Sequence, residues 1–229
     1  MNNDLMAEFK AEEVETTLKH MATLKSPEPD GMPPNFYQHY WSLVGSDVVD
    51  AVLLFLNSGN LPQSLCHSFI TLFPKVKNPE YVSQYRPISL SNVLYRIFSK
   101  VLANRLKKIL TCLVSKQQSA FVKDKLISDN IMVAFETLHY MRNHNSGETG
   151  YMALKLDMNK SYDRVEWQYM EKLRKKMGFG GTWINLMMQC ISKATYLVLI
   201  NREPLGHIKS TKGLCQGDPL SPSLFLLCT

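Results

Sequence analysis

Residues 92–110 constrain the fold more than any other stretch of this chain. Val93, Leu94, Ile97, Phe98, Val101, Leu102, Leu106, Ile109 and Leu110 recur at helical spacing and form a broad apolar stripe. A helix that is apolar over so wide an arc must be buried along most of its length, so other elements have to close around it. Its remaining face is basic, with Arg96, Lys100, Arg105, Lys107 and Lys108. Between residues 96 and 125 there are eight Lys and Arg side chains and one acid, Asp124. That segment carries +7, so all of the chain's net charge of +6 is concentrated there. Such a concentration suits a polyanion, because each phosphate neutralised releases counterions. It is equally the pattern of a solvated helix face.

The other segments supply what could close around this helix. At 229 residues with 45% hydrophobic side chains, the chain is long enough for a sizeable core, as one large domain or two modest ones. Residues 11–24 read as a helix with Glu12 and Glu13 in its first turn and Val14, Leu18 and Met21 on one side. Four prolines and a glycine in residues 26–34 forbid helix and ladder alike. Residues 48–56 read as a short apolar helix, 69–73 as a strand, and 85–90 as extended through Pro87. Ser128 is placed to cap a helix over 129–142, followed by a turn at 147–150. Further helices are expected over 164–177 and 182–192. A strand over 195–200 should turn at Asn201-Arg202 and return over 208–211. No run approaches 18 apolar residues, which speaks against a membrane span. The N-terminus lacks the basic start and apolar core of a secretory signal. Five cysteines, an odd count with no close pair, read as reduced thiols of an intracellular protein.

Residues 151–163 carry the chemistry. Met152, Leu154 and Leu156 alternate with Ala153 and Lys155, the period of a half-buried strand, and this strand would run into Asp157. A carboxylate at a strand end is a common metal ligand and also a common turn residue. Tyr162 by itself could be a core aromatic, Arg86 a surface ion pair, and Gly217-Asp218-Pro219 an ordinary turn before a helix beginning at Pro219.

Order decides between these readings. Tyr-Arg-Pro-Ile-Ser-Leu (85–90), Leu-Asp-Met-Asn-Lys-Ser-Tyr-Asp-Arg-Val (156–165) and Gly-Leu-Cys-Gln-Gly-Asp-Pro-Leu-Ser-Pro (213–222) follow one another along the chain. Taken in this order they resemble the reverse transcriptase of non-long-terminal-repeat (LINE-type) retrotransposons, and most of all the plant copies. Pro-Asp-Gly-Met-Pro-Pro (29–34), Phe-Ile-Thr-Leu-Phe-Pro-Lys (69–75) and Gln-Ser-Ala-Phe-Val (118–122) fit the same family. The resemblance implies an α+β right-hand polymerase: an N-terminal helical extension to residue 60, fingers over 61–148 and a partial palm over 149–229. It implies RNA-templated DNA synthesis, with an RNA template, a DNA primer, deoxynucleoside triphosphates and Mg²⁺ as partners. By the same resemblance Asp157 is the catalytic and metal-binding carboxylate, with the Met158 carbonyl as a second oxygen. Lys75 and Arg86 would grip the triphosphate, for which a guanidinium fork is well shaped. Tyr162 would lie beneath the sugar and exclude a 2′-hydroxyl, and Gln216 with Gly217 would touch nucleotide and template base. Arg96, Lys100, Arg105, Lys107, Lys108 and Lys125 would face the template backbone.

The chain also departs from the family pattern. Asp124-Lys125 stands where relatives have Gly-Arg, Cys215 where they have Arg, Glu28 for Gly, and Ser161 for Ala. Asn201-Arg202 replaces the Asn-Gly turn, and an Arg at positive φ costs roughly 1–2 kcal/mol. The family's Ala-Asp-Asp turn, which supplies further metal carboxylates, is expected after Thr229. A chain ending there should therefore not polymerise, and would be an incomplete domain or a non-catalytic nucleic-acid-binding remnant using residues 92–125. Asp163 is expected to cap the helix that follows it.

Overall fold

The computed structural model describes residues 1–23, 31–122, 124–144 and 150–228. In chain order the elements are α1 (Asn2–Leu5), α2 (Ala11–Lys19), α3 (Pro34–His39), α4 (Trp41–Ser58), β1 (His67–Pro74), β2 (Tyr85–Ser91), α5 (Val93–Leu113), α6 (Ile127–Asn143), α7 (Trp167–Lys176), α8 (Gly181–Ser192), β3 (Thr195–Ile200), β4 (Glu203–Lys209) and α9 (Ser221–Leu226). The chain is thus α+β, with helices packed around α5 and, among the described residues, one small mixed sheet.

Helix α5 is the axis of the molecule. It starts where the Asn92 side chain accepts the Tyr95 N–H at 2.8 Å, a side-chain N-cap. Val93, Ile97, Phe98, Val101, Leu102, Ala103, Leu106 and Leu110 on its stripe are all buried. One continuous core runs from Leu5 to Leu227 through this helix. Helix α4 packs on it through Phe55, whose ring lies 4.9 Å from that of Phe98. The apolar run seen at 48–56 extends into a helix of 18 residues, ended by Gly59 at φ 66°, a left-handed stop that glycine takes without strain. Among the described residues α4 is the one helix long and apolar enough to cross a membrane. Its buried Val48, Val52, Phe55 and Leu56 face the core while Leu43 and Leu54 are exposed, the amphipathic pattern of a packed helix. Helix α8 is tied to α5 by the Tyr95 hydroxyl, which donates to the Cys190 carbonyl at 2.7 Å.

The sheet has strand order β2-β1-β3-β4. β1 runs antiparallel to β2, with Phe73 opposite Arg86. It runs parallel to β3, with Phe69 opposite Leu197. β3 and β4 form a hairpin whose turn residues Asn201 and Arg202 have φ of 53° and 71°. Two positive φ values in succession are what a type I′ turn requires, so the arginine occupies the strained position expected of it.

Several local expectations need correction. Residues 151–158 form no strand: the alternation is present, but Met152, Leu154 and Leu156 are 85%, 72% and 85% exposed. Among the described residues no other strand pairs with this segment. Alternation sets which face would be buried, but only a ladder partner makes a strand. Helix α6 begins one residue before Ser128, and its first free N–H, that of Leu126, is satisfied by Asp129 at 3.1 Å instead. All seventeen residues of α6 lie outside the core. Asp163 caps nothing; the N-cap position of α7 is Glu166, because a short 3₁₀ turn over Tyr162–Arg164 comes first. Pro219 also precedes α9, which starts at Ser221. Most of the proline-rich turn at 26–34 and of the turn at 147–150 lies outside the described residues.

Candidate nucleotide site

The site is assembled where the turn end of the β1–β2 hairpin meets two loops. Lys75 follows the last residue of β1, and Arg86 lies in the first turn of pleat of β2, opposite Phe73. The register therefore brings two cations from one hairpin to one rim. The Lys75 backbone N–H donates to Gln84 O at 2.8 Å and its ammonium to Ser83 O at 3.0 Å, so the side chain is steered back over the hairpin.

The loop that carries Tyr162 is fixed by the loop that carries Gln216. Leu214 N–H donates to Tyr162 O at 3.0 Å, Gly213 N–H to Val165 O at 2.8 Å, and the Trp167 indole to Gly213 O at 2.7 Å. Ser89 N–H of β2 donates to Gln216 O at 2.8 Å, which lays the second loop onto the sheet. A Cβ on Gly217, at φ 112°, would lie 2.8 Å from Ser89 O, so no larger residue fits there. The Tyr162 ring stacks on Phe225 of α9, centroids 4.8 Å apart and planes 21° off parallel. Its partial burial raises the phenol pKa, so the ring stays neutral.

The result is a cleft of about 580 Å³ lined by Lys75, Tyr85, Arg86, Lys160, Tyr162 and Gln216, together with Leu72, Val82, Ser83, Pro87, Asn159, Ser161 and Asp163. Four of the five residues expected at a nucleotide site line this one cleft, and Gly217 adjoins Gln216. A smaller hollow of about 240 Å³ lies beside it under Tyr196, Ile208 and Cys215, and shares Pro87, Asp163 and Gln216 with it. Those three residues are the partition between the two. Burial first and the Asp218 charge second push the thiol of Cys215, in the hollow, up to about 12.

Sequence reasoning passed over Lys160. It stands three residues after Asp157 in a left-handed turn (φ 51°), where its carbonyl accepts the Asp163 N–H at 3.0 Å, and it adds a third cation to the cleft. Its place inside the motif that holds Asp157 and Tyr162 was the available signal. Phe225 was also missed, although it lies only three residues beyond the third motif.

Asp157 and Met158 are exposed and stand just outside the lining, two residues and one residue before Asn159. Among the described residues no group of three or more His, Cys, Asp or Glu side chains converges to hold an ion. One solvated carboxylate and a carbonyl do not fit the octahedral oxygen set that Mg²⁺ demands.

The basic residues divide. Lys107 and Lys108 are exposed, and Lys100 is half-buried. Arg96 is buried, and Arg105 is 5% exposed and turned inward. The Arg105 guanidinium donates to the carbonyls of Leu5, Ala7 and Glu8 at 2.8, 2.5 and 3.0 Å and to Glu13 at 3.0 and 2.6 Å. It also lies 3.6 Å over the Phe9 ring. Arg105 therefore clamps the N-terminal segment instead of facing a template. Lys125 is likewise occupied, donating to Lys116 O and Gln118 O at 2.5 and 2.8 Å.

Comparison with known proteins identifies the family. Residues 74–229 match the family described as reverse transcriptase (RNA-dependent DNA polymerase). The chain belongs to the reverse transcriptase family. Its relatives place it among those of non-LTR retrotransposons. It is 30% identical over 218 residues to the transposon TX1 uncharacterized 149 kDa protein of Xenopus laevis, covering 94% of this chain and 16% of that protein. It is 25% identical over 185 residues to the Pol polyprotein of the type-1 retrotransposable element R2 of Popillia japonica, covering 78% of this chain and 25% of that one. A 33-residue stretch, 14% of this chain and 27% of the other, is 58% identical to an uncharacterized mitochondrial protein of Arabidopsis thaliana. The chain therefore spans a quarter or less of the length of the two long curated relatives.

Proposed function

We propose that the cleft between β1, β2 and the loops at 159–163 and 213–216 binds the incoming deoxynucleoside triphosphate during RNA-templated DNA synthesis. One observation carries this reading: Lys75, Arg86, Tyr162 and Gln216, far apart in sequence, line a single cleft. Lys75, Arg86 and Lys160 supply the positive rim that a triphosphate needs. Tyr162, backed by Phe225, offers a flat ring on which a sugar would rest and which would exclude a 2′-hydroxyl. Gln216, on the partition, would touch the nucleotide from one side and a template base in the smaller hollow from the other. Residues 61–148 would act as fingers and 149–229 as palm, behind a helical extension over 1–60, in an element of plant type acting inside the cell. The family uses Mg²⁺, but the donors present, the exposed Asp157 carboxylate and the Met158 carbonyl, do not fit that ion. The template backbone would run along Lys100, Lys107 and Lys108.

A second reading has its own observation. Asp157 lies on an unpaired, exposed segment, which favours nucleic-acid binding without turnover. Primer extension on an RNA template separates the two. Extension that Asp157→Ala abolishes supports the polymerase; salt-sensitive RNA binding with no extension supports the binding remnant. Wild-type protein with no measurable affinity for a deoxynucleoside triphosphate would sink the first reading outright.

A further inference from the structure

The turn that carries Gln216 is held on two sides. Toward the sheet it rests on Ser89, as described. On its other side Asp218 turns into the core and is 4% exposed. One carboxylate oxygen accepts the Ser99 hydroxyl of α5, and the other accepts the Ser221 hydroxyl at 3.2 Å. The Ser99 oxygen in turn accepts the Leu220 N–H at 3.2 Å. Both donors to this carboxylate are hydroxyls, and among the described residues no basic side chain pairs with it. Burial raises its pKa, against the pull of these hydrogen bonds.

A buried carboxylate without a cation is a costly way to stop a loop. Its two hydroxyl partners lie on different helices, Ser99 on α5 and Ser221 at the start of α9, so beyond any capping of α9 it joins the turn to α5. What the arrangement achieves is geometric. Gly217 lies between an attachment to β2 at residue 216 and an attachment to α5 at residue 218, so the turn has no freedom to lift from the cleft.

We propose that Asp218 and Ser99 are a positioning pair that fastens the Gln216–Gly217 turn to α5 and so keeps the Gln216 wall of the nucleotide cleft preformed. Neither side chain lines the cleft; both act through the turn. The inference rests on the nucleotide reading of that cleft, and the experiment separates the two.

Ser99→Ala and Asp218→Asn are compared with wild type and with Val52→Ala, a core truncation in α4 remote from the turn. Amide exchange is measured without nucleotide, and deoxynucleoside triphosphate affinity by equilibrium binding in Mg²⁺. In both pair variants the Ser89 and Leu220 amides should exchange about ten-fold faster, while amides of α2 and α4 keep their wild-type rates. The triphosphate Kd should rise about ten-fold in both, and not in Val52→Ala. Wild-type exchange at Ser89 and Leu220 would overturn the pair, as would a uniform acceleration across the chain. An equal loss of affinity in Val52→Ala would also overturn it, by reducing the effect to lost stability. If the wild type binds no triphosphate, the cleft reading fails, and the exchange data still decide whether the turn is fastened by this pair. Asp218→Asn keeps the shape of the side chain, and so serves if Ser99→Ala does not fold.

Discussion

Replacing Arg105 by alanine distinguishes two roles that the sequence leaves open. The guanidinium makes five hydrogen bonds: three to the carbonyls of Leu5, Ala7 and Glu8, and two to the Glu13 carboxylate. Hydrogen bonds to a charged group contribute roughly 1.5–3 kcal/mol each in isolation, but bonds sharing one side chain are not additive. Removing one partner of a buried ion pair costs about 3–5 kcal/mol because the other is stranded. Here the Glu13 side chain is 32% exposed and can rehydrate, whereas the Leu5 carbonyl bond is buried. The stacking on Phe9 adds about 0.5–1 kcal/mol. Arg105→Ala should therefore destabilise the chain by about 3–5 kcal/mol. At about 2–4 °C per kcal/mol for a domain of this size, the melting midpoint should fall by about 6–20 °C. Arg105→Lys keeps the charge, loses the fork, and should fall between the two. Limited proteolysis should release the segment before α2 early in the variant, since Leu5 and Phe9 lose their anchor. In RNA binding, the slope of log affinity against log salt should stay that of wild type, because no phosphate contact is lost. Unchanged melting together with a salt slope shallower by about one would refute this account and return Arg105 to the template surface.

Two further outcomes follow from particular residues. Arg202→Gly should stabilise the β3–β4 hairpin by about 1 kcal/mol, since Arg202 sits at φ 71°, where a side chain is strained; a denaturant midpoint that does not rise would count against it. Burial alone would raise the Glu13 pKa, but the hydrogen bonds and charge of Arg105 and the Lys10 N–H outweigh it, and the carboxyl titrates below its usual range. A lowered carboxylate pKa stabilises the fold above the unfolded value of about 4.3. That contribution is lost as pH falls through the folded pKa. The stability gap between wild type and Glu13→Gln should thus be constant near pH 6–7 and close below about pH 4; a gap that persists in acid would show that Glu13 acts without its charge.

What could be read from the sequence was whatever depends on a single element. The burial of α5 is legible because nine apolar side chains on one arc admit no other solution. The strain at Arg202 is legible because a two-residue hairpin turn demands positive φ. Features that need a second element were not. Residues 151–158 alternate correctly, yet alternation says nothing about whether a neighbouring strand is there to pair. Arg105 and Lys107 are two residues apart with the same charge, and only the packing of the N-terminal segment against α5 sends one inward and leaves the other in water. Asp163 and Ser128 are reasonable caps by type, but the residue that caps is the one whose backbone leaves the helix, which the 3₁₀ turn at 162–164 and the early start of α6 displace.

The cleft is the instructive intermediate case. No local rule connects Lys75, Arg86, Tyr162 and Gln216; only the order of the three motifs and of the 69–75 stretch did, and that order carries no distances. The register of β1 on β2 brings the first two to one rim, and the backbone bonds from Gly213, Leu214 and Ser89 bring the other two to face them. These bonds come from main-chain groups, so the sequence shows them only through what they forbid. Gly217 is the clearest instance, since a Cβ there would collide with Ser89 O. Asp218, its neighbour, is conspicuous for the opposite reason: it is a charged residue that the core accepts. A side chain retained at such a cost next to a position that tolerates no side chain marks a stretch of backbone whose placement this fold constrains from both faces.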